Sequence, residues 1–209
     1  MIVISSEKQS NQNKELNLDQ YNEHSLSVLQ RLILESDGTL TQLVGNLVGE
    51  SIIAEKLFEG PTPDSRSQTS SLQQDERYLQ KRIVSLKGQK SGFCYLYANS
   101  IVYHDNLNVN FSRALLDSKI TIGRAWERYR VETYKELDAW GFESAGTLGR
   151  HFNLSSEALL LFRTYSVYSG GKKIFLITEK FPMAWFQKPN QTYPANSQPH
   201  AQERYDEIL

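Results

Sequence analysis

The stretch LLLFRTYSVYSGGKKIFLITEKF, residues 159–181, decides the fold. Two runs rich in β-branched and aromatic residues, 159–169 and 172–181, flank the pair Gly170 and Gly171. Such a pair is suited to the positive φ angles of a two-residue hairpin turn. Residues two apart on a strand share a face, so Phe175, Ile177, Glu179 and Phe181 lie together, with Ile174, Leu176, Thr178 and Lys180 opposite. Glu179 therefore stands among large apolar neighbours. A carboxylate there is costly unless paired, and such a position suits acid–base work. The alternative is a strand-end glutamate that curls out to solvent near Pro182.

Outward from this hairpin the periodicity changes type. Leu26, Leu29, Leu32 and Ile33 recur at helical spacing, and Leu40, Leu43, Val44 and Leu47 repeat it after a break at Asp37 and Gly38. A short strand is expected over 52–58. Two longer strands, 78–86 and 93–103, are joined through a glycine-containing loop as a second hairpin. Phe111, Leu115 and Leu116 suggest a short helix, residues 131–137 a strand, and 147–152 a helical turn. Strands joined by hairpins, with helices leading or inserted, indicate a single α+β domain on an antiparallel sheet.

Arg82 poses the same question as Glu179. It shares a face with Val84 and Leu86, while Lys81, Ile83 and Ser85 lie opposite. A guanidinium there suits bidentate capture of a carboxylate, either from a ligand or from the protein itself, with Glu179 as the internal candidate.

Length and composition narrow the function. A chain of 209 residues suits one domain of generous size, and 23 basic against 24 acidic residues leave a net charge of −1. That balance argues against nucleic acid as a partner. No apolar stretch approaches the ~20 residues that span a bilayer, so no membrane segment is expected. The polar N-terminus, with Glu7, Glu15 and Asp19, resembles neither a secretory signal nor a transit peptide. The only cysteine, Cys94, reads as a small core residue and fits a cytoplasmic location. The four histidines show no metal-ligand spacing, and no phosphate-cradling or nucleophile-elbow motif is present, so no metal is expected. The segment 124–130 mixes bases with aromatics around Glu127 and reads as a solvated amphipathic stretch. Residues 1–20 and 188–209 read as polar tails, and 59–76 as a mobile loop, leaving 21–187 for the domain.

Five segments, in order, resemble the chorismate pyruvate-lyases, also called chorismate lyases or 4-hydroxybenzoate synthases. They are residues 37–41 (DGTLT), 82–88 (RIVSLKG), 98–102 (ANSIV), Ile122 and Gly123 followed by 131–136 (VETYKE), and the last hairpin. The resemblance covers roughly residues 25 to 185. It implies an antiparallel sheet with helical flaps closing over a buried ligand cavity, and a cofactor-independent elimination of pyruvate from chorismate to give 4-hydroxybenzoate. Quinone biosynthesis is the expected use of that product, and a monomer the expected assembly.

Carried over residue by residue, the resemblance places Arg82 at the ring carboxylate and Glu179 beside the ligand hydroxyl. Backbone contacts fall at Ile122 and Gly123 and, after the first helix, at Gly38. The chain departs from the family at Asn99, where a charged residue is common. A non-catalytic domain of the same fold that binds or senses an aromatic carboxylate is the alternative reading.

Overall fold

The computed structural model describes residues 26–37, 40–62, 79–116 and 122–187. Two short helices come first, α1 (Val28–Glu35) and α2 (Leu40–Val48), followed by strands β1 (Ile52–Pro61), β2 (Leu79–Gly88) and β3 (Cys94–Tyr103). Helices α3 (Val109–Leu116) and α4 (Ile122–Tyr129) then precede β4 (Tyr134–Ser144), the short α5 (Gly149–Phe152), β5 (Leu159–Ser169) and β6 (Lys172–Pro182). The six strands form one antiparallel sheet in the order β1-β2-β3-β6-β5-β4. The chain is thus an α+β domain, as its hairpins predict.

Gly170 and Gly171 turn the last hairpin at φ +55° and +76°, conformations that side chains with a Cβ resist. Beyond the turn, Ser169 pairs with Lys172 and Tyr168 with Lys173, but Val167 pairs with Phe175. Ile174 is therefore an extra residue, and this bulge advances the register by one. Its consequence is that Arg163, rather than Phe162, lies directly opposite Glu179.

One face of the sheet is largely apolar and carries α1 to α4. Two core clusters stand on it: Ile33, Val44, Leu96, Leu161, Phe181 and their neighbours beneath α1 and α2, and Phe111, Ala125, Val167 and Phe175 beneath α3 and α4. Along the middle strands the opposite face is more polar, with Thr164 bonded to Thr178, Ser166 donating to Asp138, and Lys180 paired with Glu143. Antiparallel sheets commonly divide their faces in this way.

The extents of β1 and β4 differ from the sequence reading. Strand β1 runs on to Pro61, which pairs with Gln80, so the expected loop at 59–76 begins later. An edge strand tolerates the proline because no ladder donor is lost on its open side. Residues 63–78 and both expected tails, 1–20 and 188–209, lie outside the described residues. Strand β4 spans 134–144 rather than 131–137; as a largely exposed edge strand, with a bulge between Leu137 and Ala139, it lacks clean alternation. The segment 124–130 falls mostly within helix α4, with Ala125 fully buried, so it is solvated on one side only.

Helix α1 is fixed at both ends. Ser27 caps its N-terminus in a reciprocal capping box with Gln30. The Gln30 amide, itself fully buried, donates to the carbonyls of Met183 (2.7 Å) and Trp185 (3.0 Å), tying the helix to the segment after β6. At the other end Arg163 Nη1 donates to the carbonyls of Ile33 (2.6 Å), Leu34 (2.9 Å) and Ser36 (3.0 Å). These are carbonyls a helix end leaves without intrahelical partners, and a cation there also complements the helix dipole. Arg163 Nε meanwhile donates to Glu179 Oε2 at 2.7 Å.

Replacing Gln30 by alanine should lower unfolding stability by about 1–3 kcal/mol, because two buried carbonyls lose their donor. Arg163→Met should cost more, about 3–5 kcal/mol, since it strands a buried carboxylate. Denaturant titrations measure both, and a smaller loss for Arg163→Met than for Gln30→Ala would contradict the ranking. Burial also pushes the Cys94 thiol up to about 11. The folded protein should therefore resist a thiol reagent at pH 8 and react once unfolded; rapid reaction when folded would contradict the buried placement.

Candidate active site

Between the two core clusters the sheet and helices leave a cavity of about 680 Å³, counted to its open mouth. Its floor is the apolar face of the sheet: Arg82, Val84 and Leu86 from β2, Ala98 and Ser100 from β3, and Ile177 and Glu179 from β6. Tyr165 of β5 and Lys135 of β4 extend the wall to the far edge. Leu40 and Thr41 of α2 and Ile122, Gly123 and Trp126 of α4 complete the lining from the helical side. Strand alternation explains the floor, since each contributing strand presents every second residue to the helices.

Arg82, Glu179, Ile122 and Gly123 thus come together around one cavity, although they are dispersed over nearly a hundred residues of sequence. Gly38 lies outside the described residues. Asn99 is on the opposite face of β3 from Ala98 and Ser100, paired across the sheet with Ile83 and Thr178, and does not line the cavity.

The internal partner considered for Arg82 proves to be a different residue. Glu179 does not pair with Arg82; it takes Arg163 as its cation and accepts a hydrogen bond from the Tyr165 hydroxyl on its other oxygen at 3.1 Å. Nor does its side chain curl out to solvent, being only 7% exposed. Burial, reinforced by the Glu179 charge, drives the Tyr165 phenol well above its ordinary value, so it stays protonated and donates. Each carboxylate oxygen of Glu179 then retains lone-pair capacity for a ligand hydroxyl.

Arg82 is 5% exposed and faces the Glu59 carboxylate, with its Nε 3.8 Å from Oε1. Glu59 is its direct neighbour across β1 and β2. Burial lowers the Arg82 pKa and Glu59 opposes the shift, but a guanidinium stays charged in either case. The site therefore sets a cation on β2 apart from a carboxylate on β6, with mostly apolar wall between them. Among the described residues no three His, Cys, Asp or Glu side chains are grouped to hold a metal ion.

Arg163, Tyr165, Lys135 and Trp126 were not legible as site residues. Arg163 and Tyr165 lie within the hairpin quoted for the fold, but only the bulge at Ile174 aligns Arg163 with Glu179. Lys135 sits in the block 131–136 without a periodic signal, because β4 is an exposed edge. Trp126 brings an indole N–H that makes no hydrogen bond among the described residues.

Residues 34–187 match the family described as chorismate pyruvate-lyase Rv2949c-like. The chorismate pyruvate-lyase of Mycobacterium tuberculosis strain H37Rv is 27% identical over 163 residues, 75% of this chain and 81% of that protein. Its counterpart in Mycobacterium leprae is 28% identical over 160 residues, 75% of each chain. The crystal structure of PhnF from Mycobacterium smegmatis shares the fold at a TM-score of 0.50 and 8% identity, over 71% of this chain and 65% of that one. With the profile matched across most of its length, this chain belongs to the Rv2949c-like chorismate pyruvate-lyase family.

Proposed function

We propose that the cavity binds chorismate and eliminates pyruvate from it to leave 4-hydroxybenzoate. The observation that carries this reading is the placement of Arg82 and Glu179 on the floor of one apolar cavity. Chorismate carries a ring carboxylate at one end and a hydroxyl across the ring from it. Arg82 on β2 anchors the carboxylate, and Glu179 on β6 receives the hydroxyl. The main chain at Ile122 and Gly123 approaches the ligand from the side of α4.

The chemistry asks little else of the protein. The carbon bearing the hydroxyl loses its proton, the neighbouring carbon–oxygen bond breaks, and the ring becomes aromatic. Aromatisation supplies the driving force, so no cofactor takes part. Holding the ring with its hydroxyl against Glu179 places a carboxylate next to the proton that must leave. Arg163 and Tyr165 fix the rotamer of that carboxylate through its two oxygens.

All these groups come from one chain, which suits a monomeric, cytoplasmic enzyme. Entry of the product into quinone synthesis follows from the family resemblance. A strain lacking the chain would then lose quinone and recover on added 4-hydroxybenzoate; recovery without it would remove that role.

Purified protein given chorismate alone should form 4-hydroxybenzoate and pyruvate in equal amounts, above the spontaneous rate. Binding of 4-hydroxybenzoate with no turnover would instead favour the non-catalytic sensing domain. Glu179→Gln should reduce kcat far more than ligand affinity, by roughly 100-fold or more if it assists proton removal. Unchanged turnover would take Glu179 out of the mechanism. Arg82→Ala should weaken both chorismate and 4-hydroxybenzoate, by roughly 10- to 100-fold for a lost charge-assisted contact. Unaltered affinity for both would overturn the anchoring role.

A further inference from the structure

Chorismate is a dianion. One carboxylate stays on the ring and leaves with 4-hydroxybenzoate; the other belongs to the enolpyruvyl group and departs as pyruvate. A cavity with a mostly apolar wall cannot accept the second charge cheaply without a second cation. Among the described residues two cationic side chains line this cavity, Arg82 and Lys135. Arg163, which gives Nε to Glu179 and Nη1 to three carbonyls at the end of α1, does not line the cavity. Asn99, the position at which the family often carries charge, is on the other face of the sheet.

We propose that Lys135 binds the enolpyruvyl carboxylate of chorismate and so distinguishes substrate from product. This rests on the lyase reading above and adds to it a residue for the leaving group.

The layout of the sheet supports the assignment. Arg82 stands on β2, Glu179 on β6 and Lys135 on β4, in that order across β2-β3-β6-β5-β4. Four strand spacings separate the outer two backbones, about 19 Å, and both long side chains reach inward to the same cavity. In the substrate the hydroxyl is para to the ring carboxylate and the enolpyruvyl arm meta to it, so the arm leaves the ring sideways at its hydroxyl end. With the ring carboxylate on Arg82 and the hydroxyl on Glu179, the arm can extend toward β4.

The Lys135 ammonium is also held at the wall. It lies over the rings of Trp126 and Tyr165, 5.4 Å from each centroid, and donates to the Asp37 carbonyl. Burial lowers its pKa, with Arg163 adding to the effect and Glu179 and Asp37 opposing it. An arriving carboxylate would offset that desolvation and help keep the ammonium charged.

The same charge serves the elimination. As the carbon–oxygen bond breaks, its electron pair passes to the enolpyruvate oxygen, while the ring proton goes to the Glu179 carboxylate. A cation at the leaving group stabilises the developing enolate, which takes a proton from water to become pyruvate.

The test uses Lys135→Gln, which keeps a donor for the Asp37 carbonyl but loses the charge, and Lys135→Arg, which keeps the charge. Chorismate kinetics are measured beside the affinity for 4-hydroxybenzoate, which also reports that each variant is folded. Lys135→Gln should lower kcat/KM for chorismate roughly 10- to 100-fold and leave 4-hydroxybenzoate affinity unchanged. Lys135→Arg should restore most of the loss. Wild-type kinetics in Lys135→Gln would overturn the proposal and leave the lyase reading intact. A parallel fall in 4-hydroxybenzoate affinity would overturn it too, making Lys135 a latch on the turn after α1. A wild-type protein that yields no 4-hydroxybenzoate from chorismate removes the lyase reading itself, and this assignment with it.

Discussion

The buried guanidinium of Arg163 ties together parts of the chain that are distant in sequence. Through Nε it holds Glu179, sixteen residues on, and through Nη1 it holds three carbonyls at the end of α1, about 130 residues back. Removing a guanidinium from water is expensive, and polar partners offset that cost. Here the carboxylate of β6 accepts from Nε and the carbonyls at the end of α1 accept from Nη1, while Nη2 makes no hydrogen bond among the described residues. One side chain therefore fixes the rotamer of the proposed acid–base group and the docking of the first helix over the sheet.

This coupling bears on the cavity. Helix α2, which contributes Leu40 and Thr41 to its lining, follows directly after the turn that Arg163 and Lys135 grip through the carbonyls of Ser36 and Asp37. A cation of the sheet floor and a cation of the sheet edge thus anchor the chain where the helical cover begins. Any ligand that engages Glu179 or Lys135 touches the same network that positions the helices over the sheet.

Much of this was legible in the sequence, and the exceptions have physical causes. The Gly170–Gly171 hairpin, the β2–β3 hairpin and the two leading helices follow from turn chemistry and apolar periodicity. Arg82 and Glu179 stood out because a charge on an otherwise apolar strand face demands a partner. Their actual partners did not stand out. The bulge at Ile174 shifts the register by one residue, and no local signal announces it, so Arg163 was not aligned with Glu179. Lys135 escaped for the opposite reason: an edge strand exposed along most of its length imposes no alternation, and Lys135 reads as one more surface lysine. Asn99, where the family often carries a charged residue, is sent by strand parity to the other face.

The account stands on the orientation of the aromatic ring within the cavity. A crystal structure of the protein with 4-hydroxybenzoate measures it directly. The predicted result is a ring lying on the apolar floor, its carboxylate on Arg82 and its hydroxyl within hydrogen-bond distance of Glu179, with the Arg163–Glu179 bond intact. A ring bound in the reverse orientation, or a product held outside the cavity, would contradict the account.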